Sequence, residues 1–426
     1  MSSDSVSRRK FLAGSATTFT IIRPELVRGA APAKLRAGLI GVGGRGTGAV
    51  DNLLTGNDNV EVVAMADIFE DHLEKNLARL KQRKFGDRVN VGPEHRFVGF
   101  DAYKKLVASD IDIVMLCTPP GSRPEHFEAA VNAGKHVFCE KPIATDPVGV
   151  RRFLAANEKA KQKKLTVMSG AQRRSATEYI ETVEKIKSGA IGDIVALYST
   201  YLSGPVMHAK AREPKWGDME WQHRNWYSFL WICGDQIVEQ HFHNIDFMNW
   251  VMGGHPERVV ASGGAAWRPR DELYGNIYDH LASDFVYPNG VHLSSVCRQY
   301  PPTDPSGTKL YRRVDDLIVG TKGRSTGTDL GTKGINSQVQ EHINMVKSIL
   351  GTGPYRMEAD YGATSSMTAV MGRMATYSGQ VVTWEQATQS EIRLAPARYA
   401  LDADPPVLPL ADGSYEAAMP GVTKAF

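Results

Sequence analysis

Leu35-Arg36-Ala37-Gly38-Leu39-Ile40 runs without interruption into Gly41-Val42-Gly43-Gly44-Arg45-Gly46. The first six residues read as a short strand, the next six as a complete G-x-G-x-x-G, and residues 47–54 as the helix that follows. Each glycine of the motif has its own task in such a unit. Gly41 makes the tight turn, Gly43 lets a pyrophosphate approach the backbone, and Gly46 lets the helix pack closely on the strand. Gly44 and Arg45 complete the loop, and the phosphates meet free N–H groups at the positive end of the helix. A second strand over residues 60–66 ends at Asp67, about 20 residues past the motif, where a carboxylate hydrogen-bonds a ribose. That carboxylate repels a 2′-phosphate, so the expected cofactor is NAD. Arg45 in the loop leaves NADP open.

The alternation continues outward. Residues 111–117 form an apolar strand that ends in Thr118-Pro119-Pro120, a helix follows over residues 126–133, and residues 136–139 form a further strand. That strand delivers Glu140-Lys141-Pro142 at its carboxyl end. Ligands of open α/β sheets bind at those ends, so Lys141 stands where chemistry is expected. Residues 234–250 read as one helix in which Glu239 and His243 are spaced i, i+4 and share a face that Asp246 and Trp250 extend. A carboxylate one turn from a histidine orients the ring and tunes its pKa, which a general acid–base group requires. A buried structural His–Glu contact is the competing reading. His241 points away from that face, as a structural or substrate-rim residue. Tyr278-Asp279-His280 opens a later strand, and His280 is a candidate near the site. No closely spaced ligand motif supports a metal.

Four stretches, Gly41–Gly46, Thr118-Pro119-Pro120, Glu140-Lys141-Pro142 and residues 234–250, together resemble the Gfo/Idh/MocA family of oxidoreductases. The resemblance covers residues 34 to about 400. It implies an α/β Rossmann domain followed by an α+β domain with a large open, mainly antiparallel sheet. It also implies a tightly held NAD(H) or NADP(H) and a sugar or cyclitol substrate. By the same likeness Gly41, Gly43, Gly44, Arg45, Gly46, Asp67, Thr118, Pro119, Glu140, Lys141 and Gln172 belong to the cofactor site. Lys141, Glu239 and His243 are the catalytic candidates, Lys141 assisting proton transfer at the substrate hydroxyl. The family usually carries D-x-x-x-H where this chain has Glu239-Gln240-His241-Phe242-His243, so the acid is Glu. Arg173 lies near the nicotinamide or substrate by the same likeness. A stretch rich in aromatic and basic residues precedes the helix, from residue 207 to 227. Its Trp226 and Tyr227 offer faces for a hydroxylated ring. An alternative on the same fold is a redox-assisted glycoside hydrolase or lyase. The Tyr-Pro-Thr-His segment usual in family 109 glycoside hydrolases is not seen in this chain.

Composition is consistent with this. The chain has 426 residues, 42% apolar and 23% charged, which excludes a disordered, collagenous or coiled-coil protein. Four cysteines without a CxxC spacing are neither a disulfide framework nor a zinc site. The net charge is +3, and residues 1–30 carry all of it with five basic and two acidic residues. The neutral body offers no footprint for nucleic acid, and no apolar run reaches the length of a membrane span. Ser7-Arg8-Arg9-Lys10-Phe11-Leu12, followed by a weakly hydrophobic stretch, resembles a twin-arginine export signal. A disordered basic tail is the other reading. The expected layout is a signal peptide over residues 1–30, an NAD domain over 34–170, a substrate and oligomerisation domain over 171–395, and an extended arm over 396–426. The expected setting is periplasmic or otherwise exported, with cofactor loaded beforehand. The expected assembly is a homo-oligomer through the open sheet.

Overall fold

Parallel strand registry aligns the first half of the molecule. The computed structural model describes residues 34–206, 211–269 and 271–425. Residues 1–30, read in the sequence as a signal peptide, lie outside them, as do His208 and Lys210. In chain order come β1 (Leu35–Ile40), α1 (Gly44–Gly56), β2 (Val60–Asp67), α2 (Glu70–Lys81), β3 (Arg96–Val98) and α3 (Ala102–Val107). They continue as β4 (Ile113–Leu116), α4 (Arg123–Asn132), β5 (His136–Cys139), α5 (Pro147–Gln162) and β6 (Val167–Ser169). The strands form one sheet in the order β3-β2-β1-β4-β5-β6, every pair parallel. Ile40 pairs with both Ala66 and Leu116, Leu116 with Cys139, and Cys139 with Ser169. The residues that follow these partners, Gly41, Asp67, Cys117, Glu140 and Gly170, therefore stand in a row along one edge.

The second half comprises α6 (Thr177–Lys187), β7 (Ile194–Ser203), α7 (Asp218–Arg224), α8 (Leu230–Cys233), α9 (Gln236–Glu239) and α10 (Phe242–Met252). Strands β8 (Arg258–Gly264), β9 (His280–Val286), β10 (His292–Gln299), β11 (Arg313–Gly320) and β12 (Arg324–Ser325) follow. The chain then forms α11 (Ser337–Ile349), α12 (Ala359–Ser378), β13 (Val382–Thr383) and α13 (Trp384–Gln389). The sheet order is β12-β11-β7-β10-β9-β8-β13, antiparallel except for the β7–β10 pair. Its inner face follows the two-residue period: Leu293, Ser295, Cys297 and Gln299 of β10 are buried. Its outer face leaves Val195, Tyr198 and Val260 about half exposed.

Helix α12 lies between the halves, touching α5 on one side and β8 and β9 on the other. Gly372 permits that approach, because a Cβ there would come within 2.7 Å of the Phe285 ring. One hydrophobic cluster consequently runs from Leu116 and Phe153 through Val370 to Phe285. Each large apolar side chain fully buried in it stabilises the fold by about 1.5–3 kcal/mol. Helix α11 returns to the first sheet, packing on α1 and burying Met345 and Val346 in that core. After α13 the chain is irregular but not detached: Tyr415 is buried among Met219, Trp221, Phe229 and Trp231. Among the described residues no helix is long and apolar enough to cross a membrane.

The single helix expected over residues 234–250 does not form. Gly234 and Asp235 adopt φ of 79° and 76°, which ends α8 and redirects the chain into α9. A second break falls at Gln240–His241. In a continuous helix the His243 N–H would donate to the Glu239 carbonyl. It donates to the Gln240 carbonyl instead, at 3.4 Å, and the Glu239 carbonyl accepts the Lys141 ammonium at 2.5 Å. A side chain inserted into the helical ladder is a recognised cause of such a break.

Candidate active site

The row of strand ends forms the floor of a cleft of about 1100 Å³ between the two halves. At its centre the glycine loop closes tightly. Gly41 has φ of 90°, and a Cβ on it would lie 2.7 Å from the Thr118 amide nitrogen. A Cβ on Gly46 would lie 2.0 Å from the Gly41 carbonyl oxygen. Gly43 and Gly44, by contrast, have open space where a side chain would project. Helix α1 starts there with no side-chain cap and no acidic residue in its first turn. Unfilled space above uncapped helical N–H groups fits a pyrophosphate.

Asp67 at the end of β2 fastens this loop. Its carboxylate accepts the Val42 N–H at 2.7 Å and the Phe69 N–H at 3.0 Å. Burial pushes its carboxyl up, against those two hydrogen bonds. Arg45 turns the other way: its Nε donates to Glu140 and its Nη2 lies 3.7 Å from buried Glu341. The sequence left open a role for Arg45 in receiving a 2′-phosphate, but its guanidinium faces Glu140 and Glu341 and not Asp67. Thr118 and Pro119 line the cleft beside the loop, with Thr118 Oγ1 3.3 Å from His126 Nδ1.

At the far end of the row, Glu140 Oε2 accepts the Lys141 N–H at 3.1 Å. Lys141 is joined to Pro142 by a cis peptide bond. Its Nζ reaches from β5 to α9, donating to the Glu239 carbonyl and, at 3.1 Å, to Glu239 Oε1. Burial raises the Glu239 carboxyl, opposed chiefly by the Lys141 charge. Among the described residues Glu239 Oε2 is buried without a partner. His243, the second residue of α10, lies behind the residues that line the cleft, with an imidazole held well below the ordinary histidine range, first by burial and then by the charges of Lys141, Arg173 and Arg45. The imidazole is therefore neutral at physiological pH. The expected Glu239–His243 pairing is absent, because the carboxylate is taken by Lys141.

Trp226 and Tyr227 line the cleft together with Gln240, and the Tyr227 hydroxyl accepts from Gln299 Nε2 at 2.8 Å. The other sequence candidates stand back from its wall. Arg173 pairs with Asp316 at 2.7 Å and donates to the His243 carbonyl at 3.2 Å, while Gln172 opens the short turn that carries it. His241 is buried against the second sheet, its Nε2 2.7 Å from Ser295 Oγ. His280 Nδ1 lies 2.8 Å from Asp279, whose carboxylate accepts the N–H groups of Ala266, Trp267 and Arg268. Three groups of the wall were not found in the sequence: Arg123 and His126 on α4, Phe100 and Tyr103 by α3, and residues 393–400. None carries a local motif. Among the described residues no group of three or more His, Cys, Asp or Glu is placed to hold a metal ion.

A parallel sheet carrying a glycine loop and ribose-site carboxylate, joined to an open sheet that supplies an acid opposite a lysine, defines a two-domain dinucleotide-binding architecture. Comparisons agree. A family model described as oxidoreductase family, NAD-binding Rossmann fold, matches residues 35–170, and a GFO/IDH/MocA C-terminal domain model matches residues 179–325. The chain belongs to the Gfo/Idh/MocA family, and its first domain is an NAD-binding Rossmann domain. It is 24% identical over 229 residues to a myo-inositol 2-dehydrogenase of Thermotoga maritima, covering 54% of this chain and 58% of that one. It is 27% identical over 228 residues to an inositol 2-dehydrogenase of Rhizobium meliloti, again 54% and 58%. The chain thus matches 58% of the length of these curated relatives. A solved scyllo-inositol dehydrogenase from Lactobacillus casei, bound to NAD(H) and scyllo-inositol, superposes with a TM-score of 0.62. Identity there is 19%, over 83% of this chain and 99% of that one, which is a likeness of fold.

Proposed function

We propose that this protein oxidises or reduces one ring hydroxyl of a sugar or cyclitol, using NAD held in the cleft. The observation that carries the reading is the Lys141–Glu239 pair. It joins the end of β5 to the break between α9 and α10, in the wall of the cleft that also holds the glycine loop. NAD, when bound, supplies the hydride acceptor. The chain supplies the rest. Lys141 donates a hydrogen bond to the reacting oxygen and stabilises negative charge as its proton leaves. Neutral His243 takes that proton as general base, and Glu239 holds the Lys141 ammonium in place. Trp226 presents an aromatic face to the ring. Substrates of the inositol and aldose class fit this inventory, and inositol is the substrate named for the two curated relatives.

The twin-arginine-like leader supports export with the nucleotide already bound, and the half-exposed apolar outer face of the second sheet supports a homo-oligomer. The test is to incubate the purified protein with NAD and a panel of inositols, free aldoses and aryl glycosides. Reduced nicotinamide and released aglycone are followed together. A lasting rise in reduced nicotinamide with a free polyol supports the reading. Continuous aglycone release with no lasting rise contradicts it and identifies a redox-neutral glycosidase.

A further inference from the structure

The segment from Arg393 to Ala400 straddles the boundary where the sequence reading starts an extended arm, at residue 396, yet it is one wall of the cleft. Pro396, Arg398 and Tyr399 face the same space as Asp67 and the glycine loop. Topology states where it lies. Phe100 follows β3 and Gly121 follows β4, and in the order β3-β2-β1-β4 these two loops flank the ends of β2 and β1. Tyr399 meets both. Its ring centroid is 6.0 Å from that of Phe100, and its hydroxyl donates to the Gly121 carbonyl at 3.1 Å. A residue tied to both loops spans the strand ends between them, which carry Asp67 and Gly41. A carboxylate in the place of Asp67 marks the adenosine ribose.

The segment is anchored on both sides. The Leu394 N–H donates to Asp146 Oδ2 at 2.7 Å, on the first domain. Further on, the Val407 carbonyl accepts Gln222 Nε2 at 2.7 Å, and Tyr415 is buried in the second domain. Tyr399 also meets Trp231, with ring centroids 6.3 Å apart.

We propose that residues 393–400 form a strap across the adenosine end of the cleft, and that this strap slows release of bound NAD. The proposal rests on the NAD-binding reading of the cleft. Aromatic faces such as Tyr399 and Phe100 suit a purine ring. A dinucleotide beneath a strap tied at both ends leaves only when the strap opens locally, and opening costs the Tyr399 contacts.

The test is NADH release, read by its fluorescence on displacement with excess NAD, in the full-length wild type, Y399A and Y399F. Binding of reduced nicotinamide mononucleotide, which lacks adenosine, is measured beside it. Y399A is expected to release NADH about tenfold faster, and Y399F, short of one hydrogen bond, about fivefold faster. Affinity for the mononucleotide stays unchanged. An unchanged NADH release rate in Y399F, with its melting temperature unaltered, overturns the proposal even where Y399A folds poorly. Equal weakening of NADH and mononucleotide also overturns it. Failure of the wild type to bind NADH at all refutes the cleft reading itself, a distinct result.

Discussion

Lys141 is the residue on which most of the chemistry turns, and its position was legible because Glu140-Lys141-Pro142 follows a strand end. Its partner was harder to read. The sequence paired Glu239 with His243 through helical spacing, whereas Lys141 takes both the carboxylate and the carbonyl of Glu239. An ammonium from a distant strand cannot be seen in local periodicity. K141A is expected to lower turnover by about 10²–10³-fold, the range for a lost donor to the oxygen on which negative charge develops. NADH affinity should change little, which equilibrium fluorescence titration checks. E239Q keeps the shape but loses the charge opposite Lys141, so a smaller loss is expected. A loss in E239Q equal to that in K141A would instead make Glu239 the base. His241, read as structural or substrate-rim, takes the structural place against Ser295, and His280, read as a candidate near the site, turns to Asp279.

The first domain was largely legible because its period, glycines and strand ends are all local signals. The glycine loop makes a contrast that can be measured. A Cβ on Gly46 would collide with the Gly41 carbonyl, so G46A should both lower the melting temperature and abolish NADH binding. Gly43 has open space instead, so G43A should keep its melting temperature and lose NADH binding, since its methyl group would enter the proposed pyrophosphate space. The α9 entry depends on Asp235, an Asp at φ 76° in a region that favours glycine. Its carboxylate accepts the Gln236 N–H, the Tyr278 N–H at 3.1 Å and the Tyr377 hydroxyl at 2.5 Å. D235A removes these while leaving the strained backbone, and should cost about 2–4 kcal/mol in chemical denaturation. A non-local bond, from Lys141 to the Glu239 carbonyl, is likewise why the helix expected over residues 234–250 is divided in two.

Across the whole molecule, folding traps histidines as neutral groups. Burial lowers His126, His241 and His342 to about 3 and His223 to about 4, and His243 is pushed down as well. The unfolded chain protonates the same rings near pH 6.5. The unfolded state therefore binds more protons as pH falls, and the stabilisation present above pH 6.5 is lost below it. Buried carboxyls that burial pushes up, Glu341 most and with it Asp67, Asp235, Glu239 and Glu358, oppose this in part. Between pH 7 and 5.5 each histidine should cost on the order of 1 kcal/mol, so the melting temperature should fall steeply over that interval. A flat profile would mean that these rings are solvated. The arrangement of the two sheets around α12 and the return of the arm over the cleft were illegible in sequence, since both rest on contacts between distant segments. The central claim is that the Lys141 end of this cleft moves the substrate proton during NAD-dependent oxidation. Its most direct test is rapid mixing of NAD-loaded wild type and K141A with whichever inositol or aldose the wild type oxidises, reading the first turnover as reduced nicotinamide. The account predicts a stoichiometric rise in the wild type, slowed by about 10²–10³-fold in K141A. Equal first-turnover rates in the two proteins, or no reduction with any polyol, would contradict it.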